Sequence, residues 1–200
     1  MKFFVNFLSC FRIFAAFAII PILMFQMFWL AFVLFALAGI SDFFDGLLAK
    51  KYNAATKIGG VLDHIGDKLL VINTMVMLAA MMPIWFVVAP IIVMISREIY
   101  ISGLREFLGT QKIAMPVPKA RFSMAKIKTS LQMIATGAFL LMFAVGISFV
   151  PNATSRLVMF AVYVLPKIGI WGLWLALAAS MWSAATYTMD FAKKYKKIAK

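Results

Sequence analysis

Phe28-Trp29-Leu30-Ala31-Phe32-Val33-Leu34-Phe35-Ala36-Leu37-Ala38-Gly39-Ile40-Ser41 carries no charge, and Asp42-Phe43-Phe44-Asp45-Gly46-Leu47-Leu48-Ala49-Lys50-Lys51 follows directly. A helix needs about 20 mainly apolar residues to cross the hydrocarbon core of a bilayer. The stretch therefore reads as a membrane span over 28–49 that ends in carboxylates and lysines. The chain around it repeats the pattern. Further apolar stretches lie near 10–26, 60–82, 84–107, 125–150 and 168–190, giving six spans. Backbone polar groups in lipid must be satisfied within a helix or a closed barrel, and no alternating strand pattern is present. The expected fold is an all-α polytopic membrane protein with six transmembrane helices. Residues 151–166, bounded by Pro151 and Pro166, fit either a short interfacial helix or the first part of a broken sixth span.

Composition leads to the same class. Of 200 residues, 64% are hydrophobic and 14% charged, against roughly 45–50% and about 25% in soluble domains. So small a body cannot bury that apolar surface alone. No internal repeat or linker is visible, so the chain reads as one membrane domain over 1–200. The lone Cys10 leaves the redox compartment open. Phe7-Leu8-Ser9-Cys10 lacks the flanks of a lipoprotein cleavage site, and Asn152-Ala153-Thr154 is too short a match to imply glycosylation.

The net charge of +13 is unevenly placed. Cations gather at Lys2 and Arg12, at Lys50, Lys51 and Lys57, from Lys112 to Lys128, and at Lys193–Lys197, whereas the connections near Met24–Met27 and Ala80–Ile84 carry none. By the positive-inside rule the basic loops and both termini face the cytoplasm. The basic tail fits contact with anionic lipid, not nucleic acid.

Four of the seven acids, Asp42, Asp45, Asp63 and Asp67, fall within 26 residues at the cytoplasmic ends of the second and third spans. An ionisable residue in a membrane helix costs about 2.5–3.5 kcal/mol on insertion scales and usually has a function. Spacings of three and four put each pair on one helix face. The short connection Lys51–Ile58 makes the two helices antiparallel neighbours and brings the pairs together. Four converging carboxylates need a cation. Hard oxygen donors suit Mg²⁺ or Mn²⁺. Gly46, Gly59, Gly60 and Gly66 stand beside these acids, where glycine serves close helix packing or the close approach of a nucleotide.

Asp42, Asp45, Gly46 and Ala49, followed by Gly59, Asp63 and Asp67, resemble the signature of the CDP-alcohol phosphatidyltransferase family. One position departs from it. Lys50, followed by Lys51, stands where the family has arginine, and a lysine point charge replaces a bidentate fork. The resemblance extends to Asn6-Phe7-Leu8-Ser9 with Arg12, similar to the family's amphipathic juxtamembrane entry segment. Ser96-Arg97-Glu98-Ile99, Arg105-Glu106, Lys126–Gln132 and Met181-Trp182-Ser183 with Tyr187 are similar to the branch that uses sn-glycerol 3-phosphate.

The resemblance implies transfer of the phosphatidyl group of CDP-diacylglycerol to an alcohol, with glycerol 3-phosphate the expected acceptor. Serine, inositol phosphate or phosphatidylglycerol would be the acceptors of sister enzymes. It implies Mg²⁺ or Mn²⁺ on Asp42, Asp45, Asp63 and Asp67, with Asp67 as general base. Gly46, Ala49, Lys50, Thr56 and Gly59 would line the CDP and pyrophosphate end, and Arg97, Arg105, Lys126 and Lys128 the acceptor phosphate. A homodimer in a bacterial inner membrane, with its active site facing the cytoplasm, is also implied. Two other readings stand beside these. Arg97–Glu98 and Arg105–Glu106 also fit mutually neutralising interfacial ion pairs. An ion-coupled transporter would place its acids near the bilayer midplane within inverted repeats, which this sequence does not show.

Overall fold

A computed structural model describes residues 2–51, 57–110, 124–149 and 156–198, with side chains at 7–41, 59–62, 65–110, 127–146 and most of 156–195. The chain forms α1 (Lys2–Met24), α2 (Phe28–Lys51), α3 (Lys57–Met81), α4 (Trp85–Thr110), α5 (Met124–Phe149), α6 (Arg156–Tyr163) and α7 (Leu165–Ile198). Among the described residues, five helices are long and apolar enough to cross a bilayer, and α2 adds the shorter apolar run Phe28–Ser41. This is a multi-pass membrane protein.

Small residues line the closest helix contacts, while many large apolar side chains face outward. Phe14 and Phe17 are exposed while the intervening Ala15 and Ala16 are fully buried. Hydrocarbon solvates phenylalanine as well as a protein core does, so helices associate through close packing of small residues. The tightest seam joins α5 to α7. A Cβ on Gly172 would lie 2.9 Å from Ala135 Cβ, and one on Gly169 would lie 2.6 Å from the Phe139 ring. Ala176, Ser180 and Ser183 continue this buried face along α7.

The second seam joins α1 to α3 at Gly66, whose added Cβ would touch Ile13, Arg12 and the Ser9 carbonyl at 3.4–3.5 Å. Two turns further on, Asn73 donates to the Ala16 carbonyl at 2.7 Å. Helix α1 also packs on α2, whereas α2 and α3 touch little among the described residues. The antiparallel neighbours expected from the short connection are thus joined mainly through α1. The expected entry segment around Asn6–Arg12 forms the first turns of a continuous α1.

A helix end and an internal proline are each accommodated by identifiable hydrogen bonds. Helix α1 ends with Gln26 at φ 58. Met27 N–H bonds the Ile22 carbonyl and Gln26 N–H bonds the Leu23 carbonyl, each at 3.0 Å, forming a Schellman cap. In α4, Pro90 has no N–H for the Phe86 carbonyl. The Trp174 indole of α7 donates to that carbonyl at 3.1 Å. The ambiguous stretch before the last span resolves into the separate short α6, with one residue, Val164, between it and α7. Pro166 sits in the first turn of α7, where its missing N–H costs nothing.

Candidate functional site

At the charged end of the bundle a cavity of about 160 Å³ opens between α3, α4, α5 and α7. Its wall carries four cations, Lys68, Arg97, Arg105 and Lys128, and two carboxylates, Asp67 and Glu98. Cations are in excess. The cavity therefore favours an anion, and its apolar wall of Val71, Ile72, Met75 and Met94 strengthens every charge interaction within it.

Asp67 reaches the cavity from the third turn of α3. On its other side it is ion-paired through Oδ1 with Arg12, a residue with no exposed surface. The contact lies beside the close approach of α1 and α3 at Gly66, where an added Cβ would already touch Arg12 Cβ at 3.5 Å. A buried guanidinium requires a counter-charge, and Asp67 supplies it. Its carboxylate keeps 27% exposure.

Glu98 lies deeper and collects cations from three helices. Arg97 Nη1 donates to Oε1 at 2.8 Å, Lys128 of α5 donates to the same oxygen, and Lys68 of α3 stands 3.5 Å from Oε2. Both arginines are also held by α7. Arg97 Nη2 donates to Ser183 Oγ at 2.9 Å. Arg105 Nη2 donates to Tyr187 Oη at 2.8 Å, and its guanidinium lies 5.0 Å from the centre of that ring. The four-residue step from Ser183 to Tyr187 matches one helical turn, so one face of α7 positions both guanidiniums. The Nε of Arg97 is buried without a partner, a donor that an anion could satisfy.

Of the residues expected at the acceptor end, Arg97, Arg105 and Lys128 line this one cavity. Lys126 lies on α5 with its side chain outside the described residues. The expected Arg97–Glu98 ion pair forms, although adjacent helix positions diverge, because the guanidinium folds back. Arg105 instead bonds Tyr187, and Glu106 is exposed. Asp42 and Asp45 lie on the last turns of α2 and Asp63 on the second turn of α3, with side chains outside the described residues. The same holds for Gly46, Ala49 and Lys50 on α2, while Thr56 lies outside the described residues altogether. Gly59 is buried near the start of α3. Among the described residues no three His, Cys, Asp or Glu cluster as metal ligands. Of the expected ligand set, Asp67 has a described carboxylate, which lines the cavity, and carboxylate oxygens are the donor type a hard divalent ion takes.

Five contributors are not among the site residues expected from the sequence. Arg12 lies 55 positions from Asp67, and Lys68 falls outside the basic clusters that the charge pattern picks out. Glu98 enters the sequence reading as half of a local pair and, like Ser183 and Tyr187, as part of a resemblance. An arginine inside an apolar helix, as Arg12 is, was the one available signal.

Fold and site together define a helical membrane protein with a cation-rich cavity at one end of its bundle, flanked by aspartate-bearing helices. A profile of the CDP-alcohol phosphatidyltransferase family matches residues 3–182, and the chain belongs to that family. Several relatives carry the name CDP-diacylglycerol–glycerol-3-phosphate 3-phosphatidyltransferase. That of Rickettsia bellii (strain RML369-C) is 44% identical over 105 residues, covering 52% of this chain and 55% of the relative. That of Cereibacter sphaeroides is 40% identical over 102 residues, covering 50% and 43%. That of Salmonella choleraesuis (strain SC-B67) is 39% identical over 99 residues, covering 50% and 53%. The chain thus spans about half the length of the curated relatives it matches.

Proposed function

We propose that this protein transfers the phosphatidyl group of CDP-diacylglycerol to sn-glycerol 3-phosphate, giving phosphatidylglycerophosphate and CMP. The observation that carries this reading is the convergence of Lys68, Arg97, Arg105 and Lys128 on one cavity beside Asp67. An acceptor bearing a phosphate dianion needs such an excess of cations, whereas serine does not. The family and the names of the relatives support the same acceptor.

In this reading Asp67 takes the proton of the acceptor hydroxyl. The hydroxyl oxygen then attacks the phosphorus that carries the diacylglycerol, and the bond to CMP breaks. Arg12 keeps Asp67 oriented from behind. Arg97, Arg105, Lys126 and Lys128 hold the acceptor phosphate, and Gly46, Ala49, Lys50, Thr56 and Gly59 line the nucleotide end. Asp42, Asp45, Asp63 and Asp67 would hold Mg²⁺ or Mn²⁺. When bound, the ion supplies neutralisation of charge at the pyrophosphate.

Residues 1–200 act as one membrane domain in this reading. The active site and both termini face the cytoplasm from a bacterial inner membrane, and the protein is a homodimer. The opposite end, where the α1–α2 and α3–α4 connections carry no charge and Trp29, Trp85 and Trp171 are exposed, supports that orientation, because aromatic side chains favour the membrane interface.

The deciding experiment offers purified protein CDP-diacylglycerol with glycerol 3-phosphate, serine, inositol phosphate or phosphatidylglycerol, with magnesium or with a chelator. CMP release with glycerol 3-phosphate and magnesium is expected. Release with serine alone would overturn the acceptor.

A further inference from the structure

Resting on the acceptor reading above, we infer that Lys68 is the movable cation of the acceptor site, held by Glu98 and Ser102 until the acceptor phosphate takes over its ammonium. The four cations of the cavity are not held alike. Arg97 is fixed twice, by Glu98 and Ser183. Arg105 is fixed by the hydroxyl and the ring face of Tyr187. Lys128 is buried, with its ammonium directly on Glu98.

Lys68 differs in three respects. Its side chain is 29% exposed, and its contacts are long, 3.5 Å to Glu98 Oε2 and 3.2 Å to Ser102 Oγ. An ammonium has three N–H donors on a flexible four-carbon stem. Those two contacts engage two of them among the described residues.

Its position gives this mobility a use. Lys68 follows Asp67 on α3, and consecutive helix residues point about 100° apart. Asp67 accordingly meets Arg12 of α1 while Lys68 crosses the cavity toward α4. An anion seated among Arg97, Arg105 and Lys128 lies within the same wall as Lys68. A phosphate dianion outcompetes a single carboxylate already shared by two other cations. Acceptor binding is thereby coupled to α3, the helix bearing Asp63 and the proposed base. A neutral acceptor leaves Lys68 on Glu98.

The alternative role is a plain tether between α3 and α4, which touch little elsewhere. Kinetics of CMP release, together with thermal stabilisation of the detergent-solubilised protein by inorganic phosphate and by glycerol 3-phosphate, separates the two. Lys68→Met is expected to raise the acceptor KM about tenfold or more, leave the CDP-diacylglycerol KM within about twofold, and at least halve the stabilisation by either anion. Lys68→Arg keeps a cation on a long stem and should stay within about fivefold of the parent acceptor KM. If Lys68→Met does not fold, Lys68→Gln, which retains a donor for Ser102 without the charge, carries the same expectation.

Unchanged acceptor KM and unchanged anion stabilisation overturn the inference, as does an equal rise in both KM values. If the parent protein releases no CMP with glycerol 3-phosphate, yet inorganic phosphate stabilises it through Lys68, the acceptor reading fails and the anion site stands.

Discussion

Asp67 and Glu98 line the same cavity, yet they are held in opposite ways. Asp67 meets the buried Arg12 from behind and keeps 27% exposure, whereas Glu98 gathers cations from α3, α4 and α5 and keeps 14%. A carboxylate that is to accept a proton must be fixed in direction and still be reachable. One that organises cations works best when its oxygens are occupied. Their different burial suits two chemically similar groups to different work. In the proposed reaction the first faces the reacting atoms, and the second sets where the cations sit.

The largest expected effect tests the Asp67 half of this contrast. Asp67→Asn keeps the shape and the hydrogen bond from Arg12 but cannot accept a proton as a carboxylate does. CMP release should fall about a thousandfold, with CDP-diacylglycerol binding retained. Near-parental turnover would remove Asp67 from the base role. Next in size is Arg12→Met, which leaves the Asp67 charge without its buried partner. Breaking such pairs costs roughly 3–5 kcal/mol, and the partial exposure of Asp67 puts this one near about 3 kcal/mol. Thermal unfolding in detergent measures it, and an unshifted melting temperature would show that the pair contributes no net stability.

What the sequence made legible follows from the range over which each signal acts. Apolar runs and their breaks are local, so the spans read at 28–49, 60–82, 84–107 and 125–150 agree with α2 to α5 within a few residues. The aspartate spacing is local too, and it located the charged end. Pairings such as Arg12 with Asp67, or Lys128 with Glu98, depend on which helices become neighbours. That choice is made by packing at Gly66, Gly169 and Gly172, which no periodicity encodes. The break at Val164 was equally hidden, because an apolar short helix followed by proline looks like either of two arrangements.

A smaller effect probes how far the seam between α5 and α7 sets the cation positions. Gly172→Ala puts a methyl 2.9 Å from Ala135 Cβ and 3.4 Å from its Cα, so the helices must part instead of a side chain turning aside. A loss of about 1–2 kcal/mol is expected. The acceptor KM should rise slightly more than the KM for CDP-diacylglycerol, because α7 carries Ser183 and Tyr187. A stability loss with both constants unchanged would show that Arg97 and Arg105 hold their places without α7.

The smallest expected effect lies on the aspartate side. Lys50→Arg restores the cation found in the family signature at the end of α2. If the nucleotide phosphates are met there mainly by charge, a lysine already provides the attraction and arginine adds only a second hydrogen bond of fixed geometry. Turnover should stay within about twofold, with the KM for CDP-diacylglycerol equal or lower and the acceptor KM unmoved. The acceptor side has no such tolerance, since Arg97 bonds Glu98 and Ser183 at once through two nitrogens of one plane. Complete inactivity of Lys50→Arg would mean that the pocket is shaped around lysine, and that geometry governs the nucleotide end as strictly as it does the cavity.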